Sequence, residues 1–156
     1  MSDIIEIRFA SEADCEIIAQ FNIDMAFETE ELKLIPAVIT AGVKNMLANP
    51  SHGFYLVATI EEKIIGCLMI TKEWSDWRNG LFWWIQSVYV MADFRGRGVY
   101  RQLYNHVQLL AQKEDNVCGF RLYVEQDNMK AQSTYKKLGM AETNYKLYEQ
   151  LIPDNT

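Results

Sequence analysis

No apolar run among the 156 residues approaches the 18 or more that a bilayer span requires, so a membrane partner is not expected. The opening Met1-Ser2-Asp3-Ile4 carries no basic segment, and a secretory leader is not expected either. Cysteine is scarce. Cys15, Cys67 and Cys118 are odd in number, lie among apolar neighbours and have no metal-ligand spacing. They exclude a disulfide framework, give no reason to expect a metal, and read as buried thiols in a reducing cytoplasm. Basic residues are outnumbered, 15 Lys and Arg against 21 Asp and Glu, for a net charge of -6. Such a chain repels the phosphate backbone, so nucleic acid is not expected as a partner. Repeats, low-complexity tracts and linkers are lacking too, which leaves one domain over 1–156. A hydrophobic share of 49% with 23% charged residues is ordinary for a globular protein and excludes disorder. At this length folding buries roughly 68–70% of the unfolded chain's surface, enough for a core without staples.

The charges are unevenly placed. Asp24, Glu28, Glu30 and Glu31 form an acidic stretch with no base among them, and Arg95, Arg97 and Arg101 form a basic one. They are either two solvated faces of opposite sign or two sites, one for a cationic ligand and one for an anionic ligand.

Apolar spacing divides the chain into alternating elements. Ile4, Ile5 and Ile7, interleaved with Glu6 and Arg8, read as a first strand. Ser-Glu-Ala-Asp from Ser11 is a weak capping box, and Ile17, Ile18, Phe21 and Met25 continue as a helix expected to end near Phe27, before an acidic loop. Pro36 opens a second helix, which Asn49-Pro50-Ser51-His52-Gly53 closes. Strands are expected over 54–60, 64–71 and 82–90, with a hairpin turn at Glu61-Glu62-Lys63 and a longer link over 72–80. A glycine-containing turn then leads to a helix with Val99, Leu103, Val107 and Leu110 on one face. A strand over 117–124, a helix over 129–138 capped by Gly139 and a last strand over 143–151 complete an α+β chain.

The segment from Val88 to Tyr100 is the most informative. A strand runs into Arg95-Gly96-Arg97-Gly98, and a helix begins at once with Val99 and Tyr100. Backbone N–H groups at a helix start lack intrahelical acceptors and lie at the positive end of the helix dipole, so they attract phosphate. Gly96 and Gly98 let a ligand approach the backbone with no Cβ in the way, and Arg95 and Arg97 add charge. No Gly-Lys-Ser/Thr ends the turn, so it is not a Walker loop. Arg101 occupies the last glycine position of the dinucleotide pattern.

About thirty residues on, Asn128, Ala131, Tyr135, Gly139 and Met140 follow N-x-x-A-x-x-x-Y-x-x-x-G-F/M. With Arg95 and Gly98 in an R/Q-x-x-G-x-G/A turn, the chain resembles the GNAT superfamily of acetyl-CoA-dependent N-acetyltransferases. Tyr100 stands where that turn usually has Gly or Ala. The resemblance implies a three-layer α/β arrangement, with a mixed, mostly antiparallel central sheet flanked by about four helices. It implies acetyl-CoA as cosubstrate. The pyrophosphate would lie on the amides from Arg95 through Gly96, Arg97, Gly98 and Val99 to Tyr100, and the pantetheine would pair with the backbone of Val88 and Val90. Asn128 would bind cofactor and cap its helix, or only cap it. Tyr135 would protonate the thiolate of departing CoA, for which a phenol near pKa 10 is a suitable donor, or is simply a core tyrosine.

Many relatives carry a Glu as general base on the strand before the turn; here Gln86 stands there. A water held by Gln86 could relay a proton to Glu73, Asp76 or Glu125, each equally readable as a surface acid. The acceptor loop implied by the resemblance carries Phe27, Glu28, Glu30 and Glu31, and Trp74, Trp77, Trp83, Trp84 and Tyr89 are candidate neighbours. Carboxylates beside aromatic rings suit a cationic amine, small molecule or peptide. One of Trp83 and Trp84 must face the core, because neighbouring strand residues point to opposite faces. Acetyl transfer to a primary amine by direct attack in a ternary complex is the function expected. The alternative is a CoA-binding regulatory module weak or inactive in catalysis, as Gln86 in place of a carboxylate suggests. A homodimer is left open.

Overall fold

The computed structural model describes residues 4–153; Met1-Ser2-Asp3, on which the absence of a leader was read, lies outside the described residues. The chain divides into two compact units, Met1–Leu122 and Tyr123–Thr156.

The first unit is a five-stranded sheet in the order β1 (Glu6–Phe9), β2 (Gly53–Ile60), β3 (Lys63–Ser75), β4 (Gly80–Val90), β5 (Val117–Arg121). Neighbours are antiparallel except β4 and β5, which are parallel and joined through helix α3 (Val99–Gln112). Helices α1 (Cys15–Glu30) and α2 (Pro36–Ala48) precede β2. Side-chain alternation sorts the sheet's two faces. Tyr55, Val57 and Cys67 join Ile18 and Phe21 of α1 and Val43 and Met46 of α2 in one core cluster. On the other face Phe54, Trp83 and Phe120 form a chain of edge-to-face rings that reaches Tyr104 of α3. The sheet is thus sandwiched between helices, as the sequence implied.

Local chemistry explains the entry to α1. Asp14 ends a short 3-10 turn, and its carboxylate accepts from the Ser11 backbone N–H at 2.8 Å, one half of the expected capping box. Arg8 closes on the same carboxylate with two hydrogen bonds, 2.8 and 3.1 Å long. This bidentate pair, reinforced by the Ser11 amide, holds the Asp14 carboxyl below its ordinary value.

Several expectations need correction. Helix α1 does not stop near Phe27; it runs to Glu30, with Glu31 beyond it in the left-handed region at φ 51°. The residues 72–80 are not a link, since β3 and β4 stay paired from Trp74↔Leu81 to Ser75↔Gly80 and leave only a tight turn. Strand β5 ends at Arg121 rather than at 124. Of the three cysteines only Cys67 is buried; Cys15 is half-buried and Cys118 exposed, on the five-residue outer strand of the sheet.

The second unit holds α4 (Met129–Lys137). Its end is a Schellman cap: Met140 N–H donates to Tyr135 O at 3.1 Å and Gly139 N–H to Lys136 O at 3.0 Å, with Gly139 at φ 96°. The strand expected over 143–151 does not form. The apolar side chains Tyr145, Leu147, Tyr148 and Leu151 are exposed instead, so alternation there lacks the neighbouring strand it would need.

Candidate active site

The turn from Arg95 to Gly98 is preceded by an irregularity in β4. Cys67 faces Tyr89 and Met69 faces Gln86, so one residue of β3 opposes both Ser87 and Val88. Ser87 takes up the extra residue at φ 50°, a β-bulge. On the opposite edge, β4 pairs with β5 only from Leu81↔Val117 to Trp84↔Arg121. Beyond Trp84, the segment carrying Val88 and Val90 has no strand partner on that edge among the described residues. Beyond Val90, Met91 N–H donates to Ile65 O at 2.8 Å, and a 3-10 turn over Ala92–Phe94 leads to Arg95. Gly96 and Gly98 both sit at φ 79°, and a Cβ on either would meet nothing within 4 Å. The two glycines therefore serve backbone conformation and open space, not close packing against the protein. Helix α3 starts immediately, with Gln102 N–H bonded to Gly98 O at 3.0 Å. Tyr100, the departure from the usual Gly or Ala, stacks its ring on Tyr104 one turn along, with centroids 6.2 Å apart. Arg97 and Lys63 both rest over the Phe94 ring, at 5.3 and 5.4 Å.

Arg95 is aimed elsewhere. Its Nε donates to Val90 O at 2.8 Å, its guanidinium lies 5.3 Å over the Tyr89 ring, and Nη2 donates to Glu28 Oε1 at 2.9 Å. The Tyr89 hydroxyl donates to Glu28 Oε2 at 2.6 Å. The Tyr89 hydrogen bond, with help from Arg95, holds the Glu28 carboxyl below its ordinary value. Burial, then the neighbouring Glu28 carboxylate, pushes the Tyr89 phenol up to about 12, so it remains a donor at neutral pH.

Glu28 also lines an open cleft of about 390 Å³ with Ile23, Asp24, Phe27, Lys33 and Leu34. The residues expected in the acceptor loop are thus separated. Glu28 reaches both cleft and turn, whereas Glu30 and Glu31 are exposed at the end of α1 and do not line the cleft. Of the aromatic neighbours considered, Tyr89 meets Glu28; Trp74 and Trp77 are exposed on the β3–β4 hairpin.

Gln86 shares the face of Tyr89 and donates its amide to Thr71 Oγ1 at 2.6 Å. Next along that face, Trp84 donates its indole N–H to Glu73 Oε1 at 3.0 Å, and Arg121 donates to the same oxygen at 2.8 Å. Arg121 stacks 3.7 Å over Phe82. Glu73 is therefore tied into a polar cluster, and Trp83 is the buried member of the tryptophan pair. Asp76 lies in the hairpin turn, where its carbonyl accepts from Asn79. Sequence alone names Tyr89 only as an aromatic neighbour and does not find Thr71 or Arg121. The signal would have been the strand register, which a bulge conceals.

In the second unit Asn128 Oδ1 accepts from Ala131 N–H at 3.1 Å, so the cap role is real and its amide nitrogen is left to donate. Tyr135 lies on α4, and burial pushes its phenol upward. Glu125 Oε2 accepts from Asp127 N–H at 2.7 Å, closing the turn before α4. Among the described residues no group of three or more His, Cys, Asp or Glu side chains is arranged to hold a metal, and no helix is long and apolar enough to cross a membrane.

Among the described residues, a strand segment without a partner on one edge, a glycine turn and a helix start thus follow one another directly. The chain matches the model of the acetyltransferase (GNAT) family over residues 16–140, and it belongs to that family of acyl-transferring enzymes. It is 43% identical to a possible acetyltransferase from Clostridium difficile 630, with 97% of this chain and 100% of that one covered and a TM-score of 0.90. It shares the fold of a predicted acetyltransferase with acetyl-CoA from Clostridium acetobutylicum, at 18% identity, coverage of 94% and 96%, and TM-score 0.78. An aminoglycoside acetyltransferase from an uncultured soil metagenomic sample, in complex with sisomicin, has the same fold at 14% identity, coverage of 95% and 97%, and TM-score 0.75. No curated protein matches the chain.

Proposed function

We propose that this chain moves an acetyl group from acetyl-CoA to a primary amine by direct attack in a ternary complex. The observation that carries the reading is the run from β4 to α3: an edge that, among the described residues, has no strand partner at Val88 and Val90, two glycines at φ 79° with open space around them, and a helix start. CoA pyrophosphate would be held by amides from Arg95, Gly96, Arg97, Gly98, Val99 and Tyr100, because the first turn of a helix offers N–H groups that no intrahelical carbonyl reaches. Pantetheine would pair with Val88 and Val90. Asn128 would donate its remaining amide hydrogens to the cofactor. The family match crosses both units, which supports one acetyltransferase domain over 1–156.

The acceptor reading assigns Glu28, beside Phe27 and Asp24 in the cleft, to a cationic amine. Glu30 and Glu31, exposed and outside the cleft lining, would add at most a weak, salt-screened attraction. An ammonium with pKa near 10.4 must lose a proton before its nitrogen attacks the thioester carbonyl. Gln86 accepts no proton usefully, but with its amide turned to Thr71 its carbonyl oxygen is left to orient the amine or a water. The amine nitrogen attacks the thioester carbonyl, the C–S bond breaks, and Tyr135 would give its phenolic proton to the departing thiolate. The proton lost by the new amide nitrogen would pass to water, from which the phenol is restored. Free thiols at Cys15, Cys67 and Cys118 fit a reducing cytoplasm. The test is a panel of polyamines, amino sugars and lysine-like amines with acetyl-CoA, followed by thiol release. Turnover on one class names the acceptor. CoA binding with no thiol release on any amine favours the regulatory module instead.

A further inference from the structure

Glu28 stands where the two halves of the proposed reaction meet. It lines the cleft assigned to the amine, yet one oxygen accepts from Tyr89 and the other from Arg95, the first residue of the turn assigned to the CoA phosphates. The acceptor carboxylate and the cofactor arginine thus neutralise each other. The pair is built to open. Both side chains are about two-fifths exposed, 39% for Glu28 and 42% for Arg95, so solvent screens their attraction. Arg95 has two further anchors, Val90 O and the Tyr89 ring, about which its guanidinium can swing without being set loose. Tyr89 keeps its proton and goes on donating to Glu28 after Arg95 has left.

We propose that the Glu28–Arg95 pair couples the two substrates: phosphates arriving at the turn draw Arg95 away and free Glu28 for an ammonium, and an ammonium at Glu28 frees Arg95 for phosphate. The inference rests on the acetyl-CoA and amine sites proposed above. Coupling of this kind is reciprocal, so each ligand tightens the other by the same factor. It also gives Glu28 an effect of definite sign on a cofactor it does not touch. As a competitor for Arg95 it weakens CoA binding to the free enzyme. Were it merely holding Arg95 in place for phosphate, it would strengthen that binding.

Calorimetric titration with CoA of the wild type, Glu28→Gln, Arg95→Gln and the double variant separates these cases. Glu28→Gln should lower the Kd for CoA by roughly 2–5-fold, the scale of releasing one exposed ion pair. Arg95→Gln should raise Kd by a similar factor, and Glu28→Gln added to it should then change little. A Kd that rises or stays fixed in Glu28→Gln overturns the coupling. So does equal tightening in both backgrounds, which would mean that removal of a nearby negative charge suffices. Wild type that binds no CoA defeats the acetyl-CoA reading and the coupling with it, whereas binding with the wrong sign defeats the coupling alone.

Discussion

Gln86 and Thr71 are diagonal neighbours across β4 and β3, joined by a 2.6 Å hydrogen bond from the glutamine amide to the threonine hydroxyl oxygen. With its nitrogen so engaged, Gln86 presents a carbonyl where a carboxylate would serve as base. The rate should therefore climb with pH as the free amine becomes more abundant. Gln86→Glu places a proton acceptor there, within reach of the Thr71 hydroxyl. At pH 7 kcat/KM should rise by about 10-fold or more, toward the lower range of general base catalysis, and the climb with pH should flatten. A pH–rate profile unchanged by the variant would show that the proton leaves by another route.

The turn offers a second test. Gly98→Val forces a β-branched residue to φ 79° and projects methyl groups into the open space beside the helix start. The free variant should melt somewhat lower than wild type, by strain alone. The decisive readout is the rise in Tm on adding acetyl-CoA, present in wild type by mass action and absent in the variant.

Tyr135→Phe deletes one hydroxyl and keeps the ring. The expected result is a loss of about 10–1000-fold in kcat with an unchanged Kd for CoA. Because burial pushes the Tyr135 phenol up, the acid form persists through neutral pH, and activity dependent on it falls only on the alkaline side. Full activity in the variant would assign the proton to water.

For the acceptor, the structure divides the acidic stretch. Replacing Glu28, Glu30 and Glu31 together by Gln should raise the acceptor KM several-fold at low salt with little change in kcat. The rise should reside in Glu28, which lines the cleft, while Glu30→Gln with Glu31→Gln should leave KM nearly unmoved. That double variant should also raise Tm by roughly 1–3 °C, because it removes negative charge from the negative end of the α1 dipole. A KM shift equal in both variants would remove the cleft from the acceptor site.

Stability has its own pH signature at Asp14. Its folded pKa is depressed below the ordinary 3.8, so its contribution is present above that value and is lost as pH falls through the folded pKa. Asp14→Asn should destabilise the protein by about 1–3 kcal/mol at neutral pH, the scale of charged hydrogen bonds to a shielded carboxylate. The gap between the variant and the wild type should shrink as pH drops below 3.8. Denaturant melts at pH 7 and pH 3 measure it.

What the sequence made legible follows from how locally each feature is determined. The turn from Arg95 to Gly98 and the cap at Gly139 are written in consecutive residues, and both form as expected. The end of α1 was misplaced because Glu28, Glu30 and Glu31 resemble a loop by charge, whereas the helix is carried on to Glu30. The residues 72–80 look like a linker because Trp, Asp, Arg and Asn mix there without alternation, yet the hairpin pairs them. The partners of Glu28 lie 61 and 67 residues away in the chain, a relation that only strand register and helix placement create.

The extra residue at Ser87 sets which way everything after it points. Phe82, Trp84 and Gln86 look toward the α1 side, and strict alternation would send Val88 and Val90 there next. With Ser87 at φ 50° the count slips by one, and Tyr89 turns to meet Phe21 and Glu28 instead. Were Ser87 straightened into a regular extended residue with the chain length kept, Tyr89 would swing to the α3 side, away from both Glu28 and the ring contact with Phe21, whereas deletion of Ser87 would remove the surplus residue and leave Tyr89 opposite Cys67 on the α1 side. One residue of surplus length thus acts as a phase shift in the strand, and the facing of the site depends on that residue being either looped out or absent, never straightened.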